Sequence, residues 1–150
     1  MIKIQLLLTG NEIMAGHTVD SNSAMIGEQL AGIGQELFRK VTIGDDIDLL
    51  RTEINDLSSA SDILIINGGL GPTIDDLTAQ ALSIATEQPL AEHPEAIKHI
   101  ESWCQRRQLS VNEANRKQAI LPAQVDIIDN PTGSAVGFSC EHNNCLIICT

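Results

Sequence analysis

The chain has 150 residues, enough for one domain with a sizeable core and too few for two comfortable ones. Nine basic against twenty acidic side chains give a formal net charge of −11, which argues against general attraction to nucleic acid or to an anionic membrane. Hydrophobic residues make up 43% and aromatics only 2%, so aliphatic side chains must fill the interior, as suits strands covered by helices.

Met1-Ile2-Lys3-Ile4 leads straight into a short apolar strand over residues 2–8, with no signal peptide and no apolar run of transmembrane length. That strand ends at Thr9-Gly10-Asn11-Glu12, a glycine-containing loop that forms one candidate wall of a site. A loop with apolar anchors follows, carrying His17 with no assigned role. Asp20-Ser21-Asn22-Ser23 is a concentrated helix-start signal. The helix should run to about Leu30, with Met25, Ile26 and Leu30 inward and Gly32 ending it. Whether Asp20 and Asn22 only cap this helix or also meet a ligand stays open here. Residues 35–43 read as a second strand, closing at Gly44-Asp45-Asp46, and Ile47, Leu50, Ile54 and Leu57 mark the helix after it.

Ile63-Leu64-Ile65-Ile66 is a continuous apolar run, read as a central strand buried on both faces. It hands over to a helix carrying Leu77, Ala81, Ile84 and Ala85 through Asn67-Gly68-Gly69-Leu70-Gly71-Pro72-Thr73-Ile74-Asp75-Asp76. In an open α/β sheet, ligands bind outside the carboxyl ends of the strands, and helix-terminal amides there attract negative charge. Asp75 and Asp76 fall in the expected first turn of that helix, where carboxylates complement the dipole without any function. The functional alternative is a loop packed on a phosphate-bearing ligand, with a carboxylate holding a divalent cation, since two aspartates otherwise repel the anion they border. The loop lacks the Lys of a P-loop and the spacing of a dinucleotide fingerprint.

A helix is expected over 94–107, started by Pro94 and burying Ile97, Ile100 and Cys104 on one side. His93, His99 and His142 read as surface or capping residues, and Trp103 as packing at the helix edge. Five of the nine basic residues lie between 98 and 117, and Asn115-Arg116-Lys117-Gln118-Ala119 reads equally as a wall facing an anion or a solvated helix end. A strand at 125–128, a turn at Asn130-Pro131-Thr132-Gly133 and a hairpin around Asn143-Asn144 complete the chain. Cys104, Cys140, Cys145 and Cys149 lack metal-ligand spacing and read as free thiols of a cytoplasmic protein. The order of elements predicts an α/β fold, three-layer α/β/α, with a mostly parallel sheet and a C-terminal hairpin. An apolar strand stopping at Cys149-Thr150 suggests one domain over 1–150 truncated at its C-terminal end.

The Asn67–Thr78 loop resembles the signature loop of the CinA family of competence/damage-inducible proteins, whose N-terminal part is a MoaB/MogA-like molybdopterin-binding domain. The likeness extends through Thr9-Gly10-Asn11-Glu12 with Gly16, Val19-Asp20-Ser21-Asn22, Val41-Thr42-Ile43-Gly44-Asp45, Asn115 to Ala119, and Asn130 to Ser134, in order and across essentially the whole chain. Asn11 stands where the family usually has Thr. The family also continues after the last strand with a Pro-Gly-Val-Pro segment, and longer members add a domain resembling nicotinamide-nucleotide amidases; neither lies in these residues.

The resemblance implies metal-dependent hydrolysis of the pyrophosphate bond of ADP-ribose or a related dinucleotide. Its alternatives are molybdopterin binding with adenylyl transfer in molybdenum cofactor biosynthesis, and a nucleotide-binding domain without catalysis. The hydrolytic reading gives Asp75, Asp76 and Lys117 the catalytic roles. A divalent metal (Mg, Mn or Co) would sit on Asp76, Asp75, Glu12 and Asp45. The ligand, a dinucleotide or pterin, would touch Thr9, Gly10, Glu12, Asp20, Asn22, Gly68, Gly69, Gly71, Thr73, Asn115, Arg116 and Gly133. Relatives suggest a homo-oligomer, dimer or trimer.

Overall fold

β1 (Ile4–Thr9) is the most enclosed element of the chain, all six of its residues being buried. The computed structural model, which describes residues 1–150, places it between two parallel neighbours, β2 (Leu37–Ile43) and β3 (Ile63–Asn67). Beyond β3 come β8 (Cys145–Cys149), β7 (Gly137–His142) and β6 (Asp126–Ile128), giving the sheet order β2-β1-β3-β8-β7-β6. β8 runs parallel to β3, and β7 is antiparallel to both β8 and β6. The sheet is therefore mostly parallel, and its C-terminal hairpin enters it by its second strand.

One face of this sheet carries Leu7, Leu64, Ile66, Ile147 and Phe138 into the main core. Against them pack Leu50, Ile54 and Leu57 of α3 (Ile47–Ser58), Ala81 and Leu82 of α4 (Thr78–Thr86), and Ala96, Ile100 and Cys104 of α5 (Pro94–Arg106). Asp46 caps α3 by accepting from the Leu49 amide, and Pro94 opens α5 as expected. The opposite face carries the buried Ile4, Leu6 and Leu8. α2 (Ser21–Gly32) crosses it, tied down where Asn22 donates to Asn67 Oδ1 at 3.0 Å and Lys40 donates to Asp20 at 3.1 Å. The architecture is three-layer α/β/α. No helix is long and apolar enough to cross a membrane.

Several expectations need correction. The first two strands begin two residues later than read, at Ile4 and Leu37. α2 does not bury Met25, which is 51% exposed; Ile26 and Leu30 are only half-buried, and Ser23 is its one buried residue. Ser23 turns inward instead, its hydroxyl meeting Asp20 and Lys40. β3 alternates, with Leu64 and Ile66 fully buried in the main core and Ile63 and Ile65 half-buried on the face crossed by α2. On α4 it is Leu82, not Ile84, that turns inward. A two-stranded antiparallel sheet of β4 (Leu90–Glu92) and β5 (Ile120–Pro122) was not foreseen, nor was the short α1 (Asn11–Met14).

The four cysteines are free and buried. Burial pushes the Cys140 thiol up to about 11, and also raises those of Cys145 and Cys149. Those three thiols stay protonated, and all four cysteines serve as small apolar side chains.

Candidate functional site

The carboxyl ends of β1, β2 and β3 open onto one edge of the sheet, and the loop after β3 bends across it. Gly68 (φ 106°) and Gly69 (φ 71°) make that bend in a backbone region that L side chains rarely adopt. A Cβ at Gly68 would lie 2.5 Å from the Thr9 carbonyl oxygen, and one at Gly69 would lie 2.2 Å from Thr78 Oγ1. Thr78, fully buried, donates its hydroxyl to the Gly68 carbonyl at 2.8 Å and so fixes the distance between loop and helix. The Gly68 amide donates to the Thr150 carbonyl, whereas no protein acceptor takes the N–H groups of Gly69, Leu70 and Gly71.

Below the loop lies a polar cleft of about 610 Å³. It brings together Thr9, Gly10, Glu12, Asp45, Gly68, Gly69, Thr73, Asp75 and Asp76, all expected at the site, and adds Asn11 and His17. Asp45 is held at both oxygens, by the Thr9 hydroxyl at 2.9 Å and the Asn11 amide at 3.0 Å. Asn11 Oδ1 in turn accepts from the Asp45 amide at 3.0 Å. This exchange gives Asn11 a positioning role that its spacing in the sequence did not signal. Asp76 Oδ2 accepts from the Thr73 amide at 2.9 Å and from the Thr73 hydroxyl at 2.7 Å.

Asp75 and Asp76 precede the helix rather than opening it. α4 begins at Thr78 with no acidic residue in its first turn, because Asp76 is spent closing the turn at Thr73. Lys117 reaches the same turn and donates to the main-chain carbonyls of Thr73 and Asp76, so it straps the loop and brings positive charge to its rim.

Gly71 and Lys117 line a second cavity, of about 210 Å³, on the other side of the loop. Its walls are mostly apolar, from Leu70, Ala79, Leu90, Leu121, Val136 and Phe138, with Gln80 and Gln118 beside them, and it shares Gly69 and Asp76 with the polar cleft.

Five expected residues line neither chamber. Asp20 caps α2, where it accepts from the Ser23 amide and hydroxyl and pairs with Lys40. Burial pushes its carboxyl up, but the Ser23 hydrogen bonds and the Lys40 charge outweigh that and leave it below the ordinary 3.8. Asn22 is held by Asn67, Asn115 closes a capping box on α6 (Glu113–Lys117), and Arg116 pairs with Glu92 at 3.5 Å. The Gly133 carbonyl meets His99 at 2.8 Å, in a turn organised by Asn130. His99 is thus enclosed and tethered to the turn rather than lying free on the surface.

Glu12, Asp45, Asp75 and Asp76 border the cleft, yet no three His, Cys, Asp or Glu side chains are grouped to hold a metal ion. Both Asp45 oxygens and one Asp76 oxygen already accept hydrogen bonds.

Comparison with known proteins decides the family. The family described as "Probable molybdopterin binding domain" matches residues 5–150. The chain belongs to that family. It is 57% identical over 148 residues to a CinA-like protein of Colwellia psychrerythraea, covering 99% of this chain and 34% of that protein. It is 41% identical to a CinA-like protein of Escherichia coli over 150 residues, 100% of this chain and 37% of that one. The chain thus spans about a third of the length of these relatives.

Among solved structures, the CinA protein of Thermoplasma acidophilum, described as of unknown function, superposes with a TM-score of 0.87 at 29% identity, over 98% of this chain and 87% of that one. The molybdopterin biosynthesis enzyme MoaB of Thermus thermophilus superposes with a TM-score of 0.60 at 17% identity, over 99% and 80%, and shares the fold.

Proposed function

We propose that this domain binds a phosphate-bearing small molecule of the pterin class, molybdopterin itself being the family's namesake ligand. The observation that carries this reading is the run of Gly69, Leu70 and Gly71 amides without protein acceptors, set between an apolar cavity and a polar cleft. Unspent amides in a tight turn suit an anion, and an apolar chamber beside them suits a ring. The reading is tested by titrating molybdopterin into the full-length protein. Saturable binding that weakens when Gly69 is replaced by Val is expected, provided the variant stays folded by circular dichroism; no saturable binding to the wild type rejects it. Adenylyl transfer to the bound pterin would use the same pocket and would be seen as pterin-dependent consumption of ATP.

The four cleft carboxylates favour a second reading, metal-dependent hydrolysis of the pyrophosphate bond of ADP-ribose or a related dinucleotide. Their oxygens suit Mg²⁺ or Mn²⁺, which is commonly held by one or two carboxylates plus substrate phosphates and water. Asp75, Glu12 and the free oxygen of Asp76 are the groups that would hold such an ion, which fits a cation arriving with the substrate better than a resident one. Bound there, it would offset phosphate charge and make a water more acidic. Thr9 and Asn11 would hold Asp45 in place, and Lys117 would keep the Thr73–Asp76 turn closed.

Release of AMP from ADP-ribose, with and without divalent metal, tests this reading. Asp76→Asn should lower metal-dependent release by about 100-fold or more. Unchanged release removes the role given to Asp76, and no release with any metal leaves pterin binding alone.

A further inference from the structure

We propose that Gln118 reads the ring of the bound molecule, its side-chain oxygen accepting a hydrogen bond from an N–H donor on a planar nitrogen heterocycle seated in the apolar cavity. This rests on the reading that the loop binds a ligand with a ring and a phosphate.

Gln118 lines that cavity and is only 6% exposed. Its amide nitrogen donates to the Leu70 carbonyl at 3.4 Å and to Ser134 Oγ at 3.1 Å. A carbonyl oxygen can only accept, so the atom facing Leu70 must be the nitrogen, and the orientation of the amide is fixed. The other end, Oε1, is buried with no partner. A buried acceptor left unpaired is costly, and a native fold keeps few of them. Gln5 Oε1 is also unpaired, but Gln5 lines neither chamber of the site, so the two cases differ in what can reach them. Gln118 lines the apolar cavity, so a ligand seated there is the group within reach of its side chain.

The walls restrict what can approach. Asp76, Gln80 and Lys117 are the polar groups beside Gln118, but seven of the thirteen lining residues are hydrophobic, and against Leu70, Leu121, Val136 and Phe138 a sugar's hydroxyls would lose water without replacement. A flat heterocycle buries its faces on these side chains and brings its donors at the edge. At about 210 Å³ the cavity falls below the ~300–1,000 Å³ of pockets for drug-sized ligands, so it takes one ring system and not a whole dinucleotide. Its shared border with the polar cleft at Gly69 and Asp76 leaves the phosphate of the same molecule on the loop. Adenine and pterin both carry such N–H donors.

Calorimetric titration of the full-length protein with two pairs of probes tests this and separates the sources. AMP is compared with purine riboside 5′-monophosphate, and pterin with pteridine; the second member of each pair keeps the ring and lacks the N–H donors. The wild type should bind the donor-bearing member of one pair about tenfold or more tightly, as a buried hydrogen bond to a neutral group warrants. The pair that responds names the ring.

Gln118→Met should bind both members of that pair alike. Gln118→Glu, which is isosteric and in its neutral form presents an acceptor while donating to Leu70, should keep the preference. Equal binding within both pairs by the wild type, including no binding, overturns the proposal, as does a preference that survives in Gln118→Met. AMP release from ADP-ribose is read separately, so loss of the hydrolytic reading leaves this preference standing, and the reverse.

Discussion

Asp20 shows how one side chain can be read twice. Its carboxylate accepts from the Ser23 amide and hydroxyl and lies 3.1 Å from Lys40, which makes it the clamp between the start of α2 and edge strand β2. Replacing it by Ala should cost about 0.5–2 kcal/mol, the usual range for a lost N-cap, measured by urea unfolding at pH 7. Its folded-state pKa lies below the ordinary 3.8, so its contribution is complete above that value and disappears as pH falls through the folded value. The difference in stability between wild type and Asp20→Ala should therefore shrink below about pH 4, and a difference that grows on acidification would refute the assignment. The helix-start pattern Asp20-Ser21-Asn22-Ser23 made the cap legible from sequence. The partner Lys40 was not, because a contact across twenty residues leaves no local pattern. Asn11 is the reverse case: it looked like a departure from a family pattern, and its exchange of hydrogen bonds with Asp45 emerged only when β1 and β2 were set side by side.

Among elements, the β7–β8 hairpin was legible because Asn143-Asn144 separates two apolar runs, and both residues sit in the left-handed region, at φ 54° and 58°. That geometry costs an L residue about 1–2 kcal/mol, less for Asn. Asn144→Gly should thus raise stability by up to about 1 kcal/mol, seen as a higher melting temperature; a lower one would show that the Asn144 side chain contributes more than its backbone loses. Asn143 is the poorer choice for such a change, since its side chain donates to Ser58 at 3.0 Å and anchors the turn on α3. α3 and α5 were legible for a similar reason, each having one long apolar stripe and a core to meet. β4 and β5 were not, because three residues give no alternation and Pro122 ends the second of them. α4 was misread at its start, as Asp75 and Asp76 suit a first turn but the helix begins at Thr78 and Asp76 is spent on Thr73. The cost of that misreading fell on the site. Carboxylates lying before the helix border the cleft, where helix-capping would have turned them away from it.

At the scale of the whole molecule, charge and topology pull against each other. The parallel strands gather three loops and three unspent amides at one edge, an arrangement suited to phosphate, while the formal net charge is −11 and four carboxylates line the cleft. Lys117, reaching the loop from α6, is the one Lys or Arg that lines either chamber, and its ammonium is already engaged by the Thr73 and Asp76 carbonyls. An anionic ligand therefore approaches against the field of the protein unless a divalent cation travels with it. Raising monovalent salt from about 0.01 to 0.1 M shortens the screening length from about 30 to 10 Å, which should weaken that repulsion across most of the surface. In metal-free buffer the association rate of ADP-ribose, followed by stopped-flow fluorescence of its etheno derivative, should rise severalfold over this range. With millimolar Mg²⁺ the dependence should flatten, because the ion neutralises phosphate and carboxylates together. A rate that instead falls with salt in metal-free buffer would mean that the Gly69–Gly71 amides and Lys117 already outweigh the acidic surface. The carboxylates would then need a role other than holding a cation.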